Sequence, residues 1–410
     1  MKRNEVAPGQ GGSAVTRLWD KGAALDERIL RFTAGDDHLL DERLVQYDVR
    51  ASIAHVIMLG GQGLLSEADC EAICNGLSEL AEQHARGEWA IDLQDEDCHG
   101  ALESRLVALI GPAGARVHLG RSRNDQVLAA LRLYLKDAAA SLADGAVSVA
   151  VALEGLAERQ GEVPLPGYTH MQPAMPSSVR LWAGGFAAEL RDDALGLRSA
   201  TRRADMNPLG SAAGFGAQGV ALDREATREA LGFAATQEPV TAVQLSRGKA
   251  EAALIFEVTL LLGDLGRLAA DLLLFYTDEF AFVSLPQEMT TGSSIMPQKR
   301  NPDVFELVRS AQSVAVGALT ESLAITAKLN SGYQRDLQRL KAPLFRAVDL
   351  AQDTLAIMTH ALGGVAFRPE NIRMSDDLHA AQRASRLAIR EGIPFRDAYR
   401  RVAGSLDGND

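Results

Sequence analysis

The sequence predicts an all-α bundle, on three observations: helical apolar periodicity over five long stretches, little β-branched alternation, and polar Gly- and Pro-rich joints between the stretches. Over residues 126–158, apolar residues recur at i, i+3 and i+4, with Val127, Leu128, Leu131, Leu135, Leu142, Val149, Leu153 and Leu156 marking one face. The same stretch is Ala-rich, which favours helix and permits close packing. Residues 178–204, 246–280, 303–329 and 342–361 read the same way. A thirty-residue helix measures about 45 Å, longer than a small domain is wide. Helices of that length bury against other long helices, and partner subunits are a natural source, so an oligomer is expected.

The composition is that of a globular protein. The chain has 410 residues, 47% hydrophobic and 23% charged, and at about 150 residues per domain this length suggests two or three domains. A core of this size needs no disulfide or metal. The three cysteines, Cys70, Cys74 and Cys98, are odd in number and sparse, as in a reducing compartment. Cys70 and Cys74 stand four apart with no second Cys or His pair at zinc spacing, so small residues on a helix are the better reading than a metal site. The net charge of -12 disfavours nucleic acid as a general partner. It leaves room for an anionic substrate, which local Arg and Lys clusters decide. The first seventeen residues are polar and Gly-rich without an apolar core, a loose tail rather than a signal peptide. The most apolar stretch, 252–276, is interrupted by Glu257, Asp264, Arg267 and Asp271 and reads as a buried helix rather than a membrane span. A cytoplasmic protein is expected, without membrane or nucleic-acid partner.

The joints are Pro112-Ala-Gly114, Val163-Pro-Leu-Pro-Gly167, the Gly-rich loop over 207–219, and the Thr-, Gly- and Ser-rich loop over 286–301. Polar residues are dense around them, which is where chemistry is sought. Thr290-Thr-Gly-Ser-Ser-Ile-Met-Pro-Gln-Lys-Arg-Asn-Pro-Asp303 combines a flexible stretch, free backbone N–H groups, the charges of Lys299 and Arg300, and Pro302 where a helix could begin. This describes a mobile anion-binding loop running into a helix N-terminus; an exposed basic turn is the weaker alternative. In His118-Leu-Gly-Arg-Ser-Arg-Asn-Asp-Gln126, two arginines with Ser122 and Asn124 can line a site for carboxylates. The plain alternative is a helix-entry turn capped by Ser122 or Asn124, and both can hold at once. In Gly167-Tyr-Thr-His-Met-Gln-Pro-Ala-Met-Pro176, His170 stands between Thr169 and Gln172, although a lone His is more often structural. Gln338 and Lys341 fall three apart in the run from Tyr333 to Lys341, alone no more than an exposed helical turn.

These four segments, in this order, resemble the fumarase/aspartase superfamily, and Gly292-Ser-Ser-Ile-Met-Pro-Gln-Lys-Arg-Asn-Pro302 resembles its signature loop. Gly120-Arg-Ser-Arg-Asn-Asp-Gln126, Pro166-Gly-Tyr-Thr-His170, Asp95-Glu-Asp-Cys-His99 and the run 333–341 resemble the argininosuccinate lyase family within it; the likeness runs from about Leu18 to Val402. The resemblance implies the three-domain fold of that superfamily: an N-terminal helical domain over 1–120, a central long-helix bundle over 121–362 and a small C-terminal helical domain over 363–410. It implies a homotetramer with a twenty-helix core, five helices per subunit, active sites where three subunits meet, and no metal or organic cofactor. It also implies cleavage of argininosuccinate to arginine and fumarate, the last step of arginine biosynthesis. By matching position, Ser293 is the base, His170 the general acid oriented by Glu306, and Lys299 and Asn301 hold the carboxylate that gains charge. Thr169, Ser122, Arg123 and Asn124 bind the fumarate-side carboxylates, and Tyr333, Gln338 and Lys341 the arginine side. Asp97, His99, Arg121 and Gln172 complete the substrate-binding set.

The sequence departs from that family at several points. Pro173 and Met175 replace an Arg and a Gln beside the acid, Leu119 replaces a Thr, and Leu245-Ser-Arg-Gly248 stands for a Ser-x-Arg-Asp run. Phe32-Thr-Ala-Gly35 carries a short insertion after it, which leaves open whether Asp41 is the counterpart of the family's substrate-contacting Asp. Two other readings compete. Adenylosuccinate lyases share the Met-Pro-x-Lys-Arg-Asn-Pro pattern, but Arg121-Ser-Arg-Asn124 and Gln298 suit the first reading better. Non-catalytic crystallin relatives are the other, and the presence of both Ser293 and His170 speaks for an enzyme.

Overall fold

The computed structural model describes residues 26–406; the expected N-terminal tail lies outside them. The helices, in order, are α1 (Glu27–Ala34), α2 (Asp37–Leu40), α3 (Val45–Gly61), α4 (Glu67–Ala85), α5 (Cys98–Ile110), α6 (Arg123–Gln160), α7 (Val179–Ala200), α8 (Arg224–Leu231), α9 (Thr241–Leu245), α10 (Lys249–Tyr276), α11 (Asp303–Thr326), α12 (Lys341–Gly364), α13 (Ala380–Glu391) and α14 (Phe395–Leu406). The five expected long helices appear as α6, α7, α10, α11 and α12. Of the described helices, α6 is long and apolar enough to cross a membrane, but Leu128, Leu131, Leu142, Leu153 and Leu156 on it are core residues.

Strands are few. β1 (Pro164–Thr169) pairs antiparallel with β2 (Gln172–Ser178), β3 (Met206–Asn207) parallel with β4 (Ala235–Thr236), and β5 (Val283–Ser284) antiparallel with β6 (Ala366–Phe367). The first pair was not expected. Its prolines cannot donate to a ladder, which confines such strands to an edge, and a two-stranded ribbon is all edge.

The chain divides into two compact units. Of the described residues, one unit comprises those up to 137 with Thr201–Glu251 and Ser322–Phe345; the other comprises Ala138–Ala200, Ala252–Glu321 and those from 346 on. Four boundaries fall inside α6, α10, α11 and α12 and one at the end of α7, so compactness groups the chain differently from three consecutive segments.

In the first unit, Asp26 caps α1 by accepting from the N–H groups of Arg28 and Ile29, and Ser66 caps α4 by accepting from Asp69. Helices α4 and α5 cross closely at Gly76, where a Cβ would stand 2.8 Å from Leu106. A core of Ala51, Ala54, Ala129, Leu133, Leu209, Leu231 and Phe233, with Tyr47 against it, joins α3, the start of α6 and α8. Buried Arg132 is held by the Gln237 and Ser246 side chains at 2.6 and 2.9 Å. In the second unit, Trp182, Phe275, Phe282 and Phe367 pack as an aromatic cluster. Trp182 donates to Asp271 at 2.9 Å. Apolar side chains stay exposed at helical spacing on the long helices: Leu181 and Leu195 on α7, Phe256 and Leu260 on α10, Leu307 and Val314 on α11.

One buried carboxylate fixes where α6 begins. Asp125 accepts from the N–H of Ser122 at 3.0 Å with one oxygen, and from Gly210 and Ala212 at 3.1 and 2.8 Å with the other. Burial pushes its carboxyl up to about 6, against those N–H groups and the Arg121 charge. A raised carboxyl pKa means that the folded state holds the proton more tightly than the unfolded chain. The stability contribution of Asp125 therefore declines as pH rises through the window from 3.8 to about 6. Asp125→Ala orphans three donors at about 1 kcal/mol each. A loss of about 3 kcal/mol in urea denaturation is expected; a loss under about 1 kcal/mol would show that the junction carries no such weight.

Candidate active site

The expected site residues fall into two groups, one in each unit. In the first unit they gather around the N-termini of α5, α6 and α12. Ser122 caps α6: its Oγ accepts from the N–H of Asn124 at 3.3 Å, and the Asp125 carboxylate, three residues on, accepts from the Ser122 N–H. The helix that follows is 38 residues long, so its N-terminus carries the partial positive charge that favours carboxylates. Arg123 reaches Asp97 at 3.4 Å, and Asp97 caps α5 by accepting from Gly100 at 2.8 Å. Only glycine fits at 100, since a Cβ would stand 2.3 Å from the Asp95 carbonyl oxygen. Arg121 is buried and turned to α3, donating to Ser52 at 2.8 Å. The two arginines thus take different partners, Arg121 Ser52 and Arg123 Asp97, while both charges act on Glu103 and His118.

Beneath these lies a buried polar network. Asp48 accepts from Gln126 at 2.9 and 3.0 Å and from Ser52 at 3.3 Å, and pairs with His99 Nδ1 at 2.8 Å. Burial drives the Asp48 carboxyl up, but the charge and hydrogen bond of His99, then Arg121 and Gln126, outweigh it and hold it below its ordinary value. Burial likewise lowers His99, and Asp48, Asp97 and Asp41 more than compensate. Both shifts favour an imidazolium facing a carboxylate. Asp97 is also held low, burial being overcome by His99, Arg123 and the Gly100 N–H.

Lys341 is the largest difference from expectation. Read alone, its run was an exposed turn; in the fold Lys341 is buried, its Nζ 2.6 Å from Asp41 and 2.9 Å from Asp37. Burial lowers its pKa, but the two carboxylates raise it well above the ordinary lysine value. Gln338 donates to the carbonyls of Thr33 and Ala34 at 2.9 and 3.1 Å, and Arg335 donates to Thr33 at 2.9 Å. Tyr333 is half-buried in the segment before this turn. Asp41, Cys98 and His99 lie close enough to hold a metal ion. The donor set does not suit one: Lys341 already stands on Asp41, His99 on Asp48, and burial beside three carboxylates keeps the Cys98 thiol protonated, well above its usual pKa.

In the second unit, β1 and β2 form a hairpin with Thr169 opposite Gln172. Its two-residue loop is His170-Met171, with φ of 52° and 60°. Two positive φ values are those of a type I′ turn, which Asn-Gly would fill without strain; a non-glycine pair here costs of order 1–3 kcal/mol per residue. The strain presents the His170 imidazole at an exposed tip. The loop from 292 to 300 is a tongue clamped at its base by the bridge between Thr291 and Asn301, with N–H···O distances of 3.0 and 2.8 Å. The Asn301 amide donates to Gly292 at 3.3 Å. Ser293 Oγ accepts from the N–H groups of Ile295 and Met296 at 3.4 and 3.2 Å. Two amide donors on one hydroxyl oxygen favour negative charge there. Lys299 is exposed on the same tongue, and α11 starts at Asp303, just after Pro302, with Glu306 exposed in its first turn. Among the described residues, no hydrogen bond or ion pair joins Glu306 to His170 within one chain.

Against known proteins, the chain matches a lyase family model over residues 27–317. It is 48% identical over 392 residues to an argininosuccinate lyase of Sorangium cellulosum, covering 95% of this chain and 90% of that protein. A counterpart from Thermotoga neapolitana is 40% identical, covering 94% and 97%. The chain belongs to the argininosuccinate lyase family. A structure of EDDS lyase in complex with formate is similar at a TM-score of 0.78 and 26% identity, over 94% of this chain and 77% of that one. Class II fumarase from Schistosoma mansoni, at 0.76 and 16% over 91% of each chain, shares the fold. Within this family fold, the network residues that motif reading passed over are Asp48, Ser52 and Asp37. A signal was there: Asp48, Ser52 and His55 place polar groups at i, i+4 and i+7 on the otherwise apolar buried face of α3.

Removing one partner of a buried ion pair leaves the other uncompensated, at about 3–5 kcal/mol. His99→Leu is expected to destabilise the protein by that amount in urea denaturation at pH 7. The companion exchange Asp48→Leu with His99→Leu is expected to recover part of the loss; equal costs for the single and double changes would contradict the pairing.

Proposed function

We propose that this chain splits argininosuccinate into arginine and fumarate, the last step of arginine biosynthesis. The observation that carries this is the 48% identity to an argininosuccinate lyase over nearly the whole chain, with the Ser293, Lys299 and His170 elements presented for reaction. No cofactor or metal takes part, and the chain acts in the cytoplasm.

The proton on the carbon beside a carboxylate is weakly acidic, and its removal places two negative charges on one carboxyl group. Such a step needs a base, concentrated positive charge and an acid for the leaving nitrogen. Ser293 takes the proton. The Ile295 and Met296 N–H groups on its oxygen, and the Lys299 charge on the same tongue, support an alkoxide once water is shut out. Lys299 and Asn301 hold the carboxylate that becomes doubly charged. His170 passes a proton to the departing guanidine nitrogen, with Glu306 orienting its ring. Ser122, Arg123, Asn124, Thr169 and Gln172 bind the fumarate-side carboxylates. Tyr333, Gln338 and Lys341 serve the arginine side, and Asp97, His99 and Arg121 hold that wall in place.

The working form is a homotetramer with sites shared between subunits. The exposed apolar residues at helical spacing on α7, α10 and α11 support this, since stripes of that kind mark surfaces that a partner covers. Glu306 then reaches His170 of another copy. In this reading the chain runs as an N-terminal domain to 120, a long-helix bundle to 362 and a small C-terminal domain.

Fumarate absorbance with argininosuccinate as substrate is the direct test, and adenylosuccinate the control. Release from the first and none from the second is expected; the reverse would assign the chain to the other lyase. For Ser293→Ala, kcat is expected to fall at least about 100-fold with the oligomer intact. A near-normal rate would exclude Ser293 as the base.

A further inference from the structure

Lys341 is held by two carboxylates that differ in kind. Asp41 is completely buried, approaches to 2.6 Å, and also accepts the backbone N–H of Cys98 at 3.3 Å. Asp37, one helical turn earlier, approaches to 2.9 Å, and its side chain keeps 12% exposure. One half of the clamp is therefore built into the protein and the other stands at its rim. An ammonium has three N–H donors, and two are taken. With both carboxylates ionised the trio carries one net negative charge and opposes an incoming carboxylate; with Asp37 neutral the trio is neutral.

We infer that Asp37 is a positioning residue that competes with the substrate's amino-acid carboxylate for the Lys341 ammonium. This rests on the reading of Lys341 as an arginine-side contact. Asp41 keeps the ammonium in place while Asp37 gives it up, so Asp37 sets the affinity for the arginine end and not the rate of bond cleavage. The charged and titratable groups facing Asp37 are Lys341 from α12, Asp41 from the turn after α2, and Asp97 from the cap of α5. Burial pushes the Asp37 carboxyl up to about 7; Lys341 opposes this, and Asp41 adds to it. A raised carboxyl pKa leaves the group protonated below that value, so the ammonium is released to the ligand as pH falls through about 7 and reclaimed as pH rises.

The test compares the whole enzyme with D37N and D37E between pH 6 and pH 8, following fumarate release from argininosuccinate and inhibition by arginine. In the parent protein, KM and the arginine inhibition constant should both rise about tenfold from pH 6 to pH 8, as one titrating unit allows. D37N should hold both at the low value across the range, with the change in KM and not in kcat, and D37E should restore the slope. A D37N enzyme that keeps the parent's pH slope, or whose KM is raised throughout, overturns the inference. If the parent protein releases no fumarate, it is the proposed function that fails, and calorimetric binding of arginine to the same three proteins still decides the role of Asp37.

Discussion

Charge taken out of water must be matched inside the protein, and that constraint organises the first unit. Asp41, Asp48, His99 and Lys341 are all buried. Each is tolerable only because another stands within hydrogen-bond distance. Because the partners come from α3, α5, α12 and the turn after α2, matching the charges also fixes how these elements meet. The network is rigid for the same reason: moving any member strands a charge. It forms a wall against which the capped N-terminus of α6, with Ser122 and Asn124, is set at a defined position.

The groups proposed to react in the second unit obey a different rule. His170 and most of the 292–300 tongue are exposed; the hairpin is held by strand pairing and the tongue is clamped at its base by the Thr291–Asn301 bridge. A base that must exclude water to work cannot be built into a permanently closed site, because substrate has to enter. A loop held at its ends and free along its length meets both needs. The left-handed turn at His170-Met171 fits the same division, strain being retained where it presents the proposed acid.

Much of this was legible in the sequence. The five long helices follow from apolar residues at helical spacing, and each appears close to where the pattern put it. Ser122 as a helix cap was legible from the polar run before the apolar face of α6. The β1–β2 hairpin was not, since Pro164, Pro166, Pro173 and Pro176 break strand alternation and His-Met is an uncommon type I′ pair. Nor was the burial of Lys341. A lysine in a polar run reads as exposed, and the carboxylates that bury it lie 300 and 304 positions away, beyond any local pattern. Asp37 and Asp41 follow Phe32-Thr-Ala-Gly35, where a short insertion left the family's substrate-contacting Asp unassigned, so a structure was needed to place both carboxylates on one ammonium.

The most direct test of the account is a crystal structure of the Ser293→Ala protein with argininosuccinate bound. The account places the Cβ of position 293 beside the substrate carbon that loses its proton, at about the 3–3.5 Å separation of reacting groups extended by one bond. It also places the His170 imidazole, supplied by another copy if need be, against the guanidine nitrogen. A closed tongue with position 293 turned away from that carbon, or His170 remote from that nitrogen, would contradict it.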